Sequence, residues 1–135
     1  SAGQFFPVDF DDLKIVSVEN EYNWLAALLV RMDKAYERVR REVPISLTMK
    51  PSEYVRRQVR ATFFNDALGP LTLPYLGSDL LMLSSDYPHQ NSTWPRSREV
   101  IARYLGNLSP EDREKLVSRN VAELHRLKLP EPITA

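Results

Sequence analysis

Residues 80–89 read Leu80-Leu81-Met82-Leu83-Ser84-Ser85-Asp86-Tyr87-Pro88-His89, and this stretch decides the fold prediction. Its first four residues are apolar without alternation, which is typical of a strand covered on both faces in a parallel α/β sheet. The polar cluster that follows begins where the strand ends, and parallel-sheet enzymes place their reactive groups there. The stretch therefore predicts a parallel sheet, and it predicts that reactive residues lie at the carboxyl ends of the strands.

Two further strands and a long helix are predicted on the amino-terminal side of this stretch. Residues 14–19 and 59–64 are short runs rich in β-branched and apolar residues, which favour strands. A helical stripe over residues 22–41 ends before Pro44, and its members are Leu25, Leu28, Leu29, Met32, Tyr36 and Val39. Residues 44–56 read as a loop in which Ser52 is a candidate helix cap.

The remaining helices alternate with these strands. A short helical or irregular piece runs through Leu76 and stops at Gly77, a helix from Ser97 ends at Gly106, and Ser109 caps the start of the terminal helices. Strands separated by crossovers of this length imply a parallel sheet. Because three strands leave two unpaired edges, we expect the chain to belong to a larger sheet or to pair with another chain.

The composition excludes several classes of function. The 135 residues suit one small domain, whereas a complete (β/α)8 barrel needs about 250. Eighteen basic residues balance eighteen acidic ones, so no basic field attracts nucleic acid or an anionic membrane. The absence of cysteine excludes thiol catalysis and zinc–thiolate sites. Without an export signal, the default expectation is a cytoplasmic protein. Residues 1–3 look like a tag remnant and residues 130–135 like a disordered tail.

Three residues near the strand ends are candidates for chemistry. Asp86 at the end of the third strand suits a ligand of a divalent metal or a general base on metal-bound water. A turn stiffened by Pro88 directs His89, and Glu19 follows the first strand, facing inward alongside Ser17. The alternatives stay open: Asp86 and His89 would serve only the local turn, and Glu19 would cap the long helix.

Other candidates carry weaker signals. His125 lies on the last helix and reads as a surface residue. A catalytic zinc site takes about three protein ligands, largely histidine, and this chain has two histidines far apart in sequence, so a complete metal centre is not expected. Trp24 and Trp94 stand near strand ends, where they would line a pocket or close the hydrophobic core.

The motif Ser85-Asp86-Tyr87-Pro88-His89, followed by Ser92-Thr93-Trp94-Pro95, resembles the carboxyl-terminal part of the amidohydrolase-related metal-dependent hydrolases. This group, amidohydrolase family 2, includes aminocarboxymuconate-semialdehyde decarboxylase and related decarboxylases. The resemblance extends over residues 4–129. The segments that carry it besides the motif are Leu13-Lys14-Ile15-Val16, Glu19, Trp24, Leu28 to Asp33, Pro51-Ser52-Glu53-Tyr54, Asn120, Ala122 and Leu124.

The resemblance implies a fold and a set of residue roles. It implies the last three βα units of a (β/α)8 TIM-type barrel with a divalent metal, zinc or similar, at its carboxyl-terminal mouth. Asp86 takes the place of the family's eighth-strand aspartate, which contacts the metal or its activated water, and His89 is a supporting catalytic residue at the mouth. Glu19, a possible second metal ligand, falls where several members have a histidine and a subset has glutamate. The family's remaining histidines have no counterpart here.

Three functional hypotheses follow. The first is a fragment of such an enzyme that is inactive and metal-free alone, whose intact parent hydrolyses C–N or C–O bonds or decarboxylates a small-molecule substrate. The second is a non-enzymatic module that forms a homo-oligomer by pairing an open sheet edge. The third is a small independent enzyme that uses Glu19, Asp86 and His89 and carries a stoichiometric divalent metal.

Overall fold

The computed structural model describes residues 12–130, which form one parallel sheet with helices packed on it. In chain order the elements are β1 (Ile15–Ser17), α1 (Asn23–Val39), α2 (Pro51–Gln58), β2 (Val59–Phe63), α3 (Gly69–Leu76), a 3-10 turn (Ser78–Leu80), β3 (Leu81–Leu83), α4 (Ser97–Leu105), α5 (Pro110–Glu114), a π-helical segment (Lys115–Arg119) and α6 (Asn120–His125). All three predicted strands are present, although each is shorter than its apolar run.

The sheet has the order β1-β2-β3, and both pairs are parallel. Ser17 pairs in register with Ala61, and Ala61 pairs with Leu81, so these three residues share one face. Ala61 and Leu81 belong to the hydrophobic core, which identifies this face as the one the helices cover. The prediction that Ser17 faces inward, away from the helices, is therefore wrong.

The core lies between this face and the helices. It contains residues from α1, β2, β3, α3, α4 and the π-helical segment, among them Leu25, Leu29, Ala61, Phe63, Leu73, Leu76, Leu81, Leu105 and Leu116. Gly69 lies directly against the Tyr22 ring, and a side chain at this position would collide with it. The start of α3 can therefore approach α1 only through glycine.

Two predictions about the first half of the chain need correction. Residues 44–56 are not all loop, because α2 begins at Pro51. Its helix cap is Lys50, whose N–H donates to the Glu53 carboxylate at 2.8 Å. Ser52 is not the cap but sits inside the first turn, where its N–H and hydroxyl both donate to Asp33 of α1. This helix has only eight residues and a polar sequence, so no apolar stripe reveals it.

The predicted stripe of α1 is only partly buried. Leu25 and Leu29 are fully buried, whereas Leu28 and Val39 are exposed. The helix ends at Val39 rather than at residue 41. Leu28 and Trp24 lie one turn apart on α1, and each is 38% exposed. The helix thus leaves a short apolar strip uncovered beside its buried face.

The second half of the chain follows the prediction closely. Gly77 ends α3 with a left-handed φ of 80°, and its N–H donates to Leu73 O at 2.8 Å. The helix from Ser97 gives way at Gly106, and the Ser109 hydroxyl accepts the N–H of Asp112 at the start of α5.

The expected tag remnant at residues 1–3 lies outside the described residues, as do residues 4–11 of the predicted domain and all of the predicted tail at 130–135 except Pro130. Among the helices of residues 12–130, none has the length and apolar character needed to cross a membrane.

The two edges of the sheet differ. Ser84 N donates to Phe63 O, so the alternate residues Leu81 and Leu83 direct their backbone groups away from β2. The Leu81 carbonyl accepts a hydrogen bond from the Asn120 side-chain amide at 2.7 Å, which occupies the start of that edge. β1 forms the other edge, with Leu13 and Ile15 exposed along it.

Candidate metal centre

The carboxyl ends of the three parallel strands place three loops together. β1 runs into residues 18–21, β2 into residues 64–68 and β3 into residues 84–96. The polar cluster predicted from sequence lies on the third of these loops, and Glu19 lies on the first. Because all three strands run parallel, these loops share one edge of the sheet.

Asp86, His89 and Glu19 form one cluster at this edge. His89 Nδ1 lies 3.1 Å from Asp86 Oδ1 and 3.8 Å from Glu19 Oε1. One ligand atom from each residue lies within 4.8 Å of the others. The Asp86 side chain is only 9% exposed, whereas those of His89 and Glu19 are 64% and 58% exposed. The buried carboxylate therefore forms the floor of the cluster, and the other two groups form its open rim.

The loop after β3 is folded back on itself, which fixes Asp86. The Asp86 backbone has a left-handed φ of 56°, its N–H donates to Ser84 Oγ at 3.3 Å, and its carbonyl accepts the N–H of His89 at 2.9 Å. The N–H of Thr93 and the hydroxyl of Ser92 both donate to the Ser85 carbonyl, closing the loop. The hydrogen bonds of this turn thus involve the backbone N–H and carbonyl of Asp86, while its carboxylate belongs to the cluster.

The loop after β1 fixes Glu19 in a similar way. Glu19 has a φ of 62°, and its N–H donates to the Thr62 hydroxyl of β2 at 3.2 Å. The Trp24 indole N–H donates to the carbonyls of Asn20 and Glu21 at 3.0 and 3.1 Å. These contacts turn Glu19 out of the strand's regular alternation and toward the loop of β3.

Sequence analysis missed two carboxylates beside this cluster. Asp66, which follows β2, is 3% exposed and accepts four hydrogen bonds, from the N–H groups of Tyr22, Asn23 and Leu68 and from the Asn23 side chain. The sequence signal, Asn65-Asp66 directly after a strand, is also typical of a simple turn that ends the strand, so it does not by itself predict a buried acceptor. Asp66 thus caps α1, the role that one alternative assigned to Glu19.

Glu21 is the second missed carboxylate. It accepts the backbone N–H groups of Phe64 and Asn65 and thereby ties the β1 loop to the β2 loop. Burial is the main cause that raises the pKa of Glu21, and the nearby Asp66 charge adds to it, while the two backbone hydrogen bonds oppose the shift. Burial, with the charges of Asp66 and Glu21, likewise raises the pKa of the Tyr22 hydroxyl.

The other sequence candidates are not members of the cluster. His125 is exposed on α6, as expected. Neither tryptophan closes the core, because Trp24 is 38% exposed and Trp94 is 64% exposed. Trp94 lines a surface cleft of roughly 390 Å³ and meets the Tyr87 ring edge to face at 6.1 Å between centroids. The peptide bonds before Pro88 and Pro95 are both cis.

The donor set fits a divalent metal ion. Zinc bonds to imidazole nitrogen and carboxylate oxygen are near 2.0–2.2 Å, which in tetrahedral geometry separates neighbouring ligands by about 3.3 Å. The separations at His89, 3.1 and 3.8 Å, lie on either side of that value, and the ligand atoms of Glu19 and Asp86 lie within 4.8 Å of each other. The residues present therefore fit the chemistry of a metal ligand set, and the exposed Glu19 side chain is the one that would have to move closer.

The fold is similar to parts of several solved enzyme structures. An amidohydrolase from Mycobacterium avium subsp. paratuberculosis K-10 matches 83% of this chain with 26% identity and a TM-score of 0.67. A 5-carboxyvanillate decarboxylase from Sphingomonas paucimobilis matches 86% with 22% identity and a TM-score of 0.65. A 2,6-dihydroxybenzoate decarboxylase, in complex with 2,6-dihydroxybenzoate, matches 85% with 18% identity and a TM-score of 0.62. No protein-family model matches the sequence, and no curated protein matches it.

These matches cover only part of each neighbour. The chain spans 28% to 35% of the lengths of the three enzymes. The three parallel strands with their helices correspond to a partial region of the TIM barrels in these amidohydrolases. The sequence resemblance to a portion of the amidohydrolase-related enzymes and the α/β fold prediction are therefore confirmed.

Proposed function

We propose that this chain supplies part of the active site of an amidohydrolase-type enzyme, one that hydrolyses a C–N or C–O bond of a small molecule or decarboxylates it. The observation that carries the proposal is the position of Asp86 at the carboxyl end of β3, where its side chain is only 9% exposed. It lies where parallel α/β enzymes place their reactive groups. The fold shared with an amidohydrolase and two decarboxylases supports this reaction class.

In this proposal each residue of the cluster has a separate task. A divalent metal, when bound, would polarise the substrate and lower the pKa of a water molecule. Asp86 orients that water or accepts its proton, because its carboxylate is the buried acceptor of the cluster. His89 is the supporting imidazole of the mouth, and its Nδ1 lies 3.1 Å from Asp86 Oδ1, so both groups face the same point. Glu19 presents a second negative charge at the rim.

The test is turnover by the full-length gene product that contains this chain. Asp86→Asn should lower kcat/KM by roughly 10²–10⁴-fold, the usual contribution of a general base, toward amide, ester and carboxylic acid substrates. Asp79→Asn is the matched control, since Asp79 is an exposed aspartate at the other end of β3. Unchanged turnover in a folded Asp86→Asn protein would exclude the proposed role.

A second candidate is self-association through the β1 edge. Asn120 closes the start of the β3 edge, whereas Leu13 and Ile15 are exposed along β1, and Val18 beyond it is exposed as well. An uncovered apolar strand edge is a template for pairing with another strand. Pairing of the β1 edges of two copies about a two-fold axis would be mutual and would stop at a dimer.

A further inference from the structure

We propose that this chain binds a divalent transition-metal ion by itself, through Glu19, Asp86 and Nδ1 of His89. The inference deepens the proposed function, since it concerns the same carboxylate, but it assigns the whole ligand set to this chain. The family resemblance implies Asp86, with Glu19 as a possible second ligand, and expects imidazoles from elsewhere. The structure instead brings three donors from two loops within 4.8 Å of one another.

The number and kind of donors support binding without further protein ligands. Catalytic zinc sites use three protein ligands and leave the fourth position to water or substrate. Here two carboxylate oxygens and one imidazole nitrogen provide three ligands, and the exposed rim leaves the fourth position accessible. An imidazole beside two carboxylates suits zinc, manganese, iron(II) or cobalt(II) better than calcium or magnesium, which prefer oxygen alone.

The surroundings of Asp86 leave its carboxylate available to an ion. Its side chain is 9% exposed, and among the described residues it contacts His89, with Oδ1 and Nδ1 3.1 Å apart. Asp66 is more deeply buried, and its carboxylate accepts four hydrogen bonds from Tyr22, Asn23 and Leu68. Backbone and side-chain donors thus occupy the carboxylate of Asp66, whereas that of Asp86 faces the other two donors of the cluster.

The backbones of all three ligands are held in place before any ion binds. Asp86 lies in the closed loop of β3, and the Glu19 N–H donates to Thr62 of the intervening strand. The His89 N–H donates to the Asp86 carbonyl, which ties His89 to the same turn. Because the backbones are already ordered, only the exposed side chains of Glu19 and His89 lose entropy on binding an ion.

The experiment uses this 135-residue chain after chelator treatment and dialysis. Titration with Mn²⁺, followed by EPR and by calorimetry, should give one ion per chain. Titration with Co²⁺ should give d–d absorption bands, and the ring signals of His89 rather than those of His125 should respond to Zn²⁺ in NMR spectra. Asp86→Asn, Glu19→Gln and His89→Gln should each weaken Mn²⁺ binding at least about tenfold, because even outer-shell partners of metal ligands contribute that much.

Two control variants test whether the ion binds to the three named residues rather than to other side chains. His125→Gln removes the chain's other imidazole, and Glu123→Gln removes an exposed carboxylate of α6; both should leave the affinity unchanged. If Asp86→Asn unfolds, the two exposed ligands still test the site. No binding at millimolar Mn²⁺, or binding that only His125→Gln weakens, would overturn the inference. That result would leave the proposed function standing, since turnover by the full-length gene product depends on Asp86 whether or not this chain holds the ion alone.

Discussion

Three acidic residues at the carboxyl end of the sheet have left-handed backbones: Glu19 with φ of 62°, Glu21 with 54° and Asp86 with 56°. For a residue with a side chain, this conformation costs about 1–2 kcal/mol. Glycine would adopt it without that cost. Specific hydrogen bonds hold each of the three in place, and the strain is concentrated where the carboxylates meet, as is common at functional sites.

Thr62→Val tests how Glu19 is positioned. The variant keeps the shape of the side chain but removes the hydroxyl that accepts the Glu19 N–H. We expect the affinity of the chain for Mn²⁺ to fall by up to about tenfold, the equivalent of one hydrogen bond. Thr72→Val is the control, because the Thr72 hydroxyl donates to Gly69 O within α3. Equal affinities for both variants would contradict the role of Thr62.

Glu21→Gln tests the pH dependence of stability. Burial raises the folded-state pKa of Glu21 above its ordinary value of 4.5, so ionising this residue favours the unfolded state. The contribution of Glu21 to stability is therefore largest below pH 4.5 and declines as the pH rises through the folded-state pKa. Relative to Glu21→Gln, the original chain should lose free energy of unfolding over that range in urea titrations at successive pH values. If the free energy of unfolding of the original chain, relative to that of Glu21→Gln, stayed constant or grew as the pH rises, the raised pKa would be contradicted.

At the scale of elements, Asp66 joins the β2 loop to the start of α1. Asp66→Ala would leave the buried N–H of Tyr22 and the N–H of Asn23 without their acceptor. We expect the free energy of unfolding to fall by about 2–3 kcal/mol, the combined cost of a lost helix cap and of unsatisfied donors. Asp79→Ala, which removes an exposed ion pair with Lys115, should cost less than about 1 kcal/mol. Similar losses for the two variants, measured by urea unfolding, would show that Asp66 is not a cap.

The individual elements show which features could be predicted from the sequence. The strands could be predicted because apolar and β-branched runs are local signals, and the cap Ser109 could be predicted because a cap lies next to the helix it begins. Helix α2 could not be predicted, because the Ser52 hydrogen bonds at its start go to Asp33, nineteen residues earlier in the chain. The nearness of Glu19 to the loop of β3 follows from parallel topology, whereas the buried acceptor role of Asp66 depends on tertiary contacts.

At the scale of the whole molecule, the helices cover one face of the sheet, and the two edges of the described sheet differ. The core face carries Ala61, Phe63 and Leu81, and Asn120 occupies the start of the β3 edge. Along the β1 edge, Leu13 and Ile15 are exposed. The β1 edge is thus the side of the sheet that a further strand would cover.

Ile15→Lys tests whether a second copy of the chain covers this side. If β1 edges pair, the chain should dimerise in a concentration-dependent way in sedimentation equilibrium, and a lysine at Ile15 should make it monomeric, because a charge on an edge strand opposes pairing. Leu71→Lys is the control, since Leu71 is 78% exposed on α3. A dimer that survives Ile15→Lys would place the contact elsewhere. A monomer at all concentrations would leave the β1 edge unpaired and would exclude self-association through it.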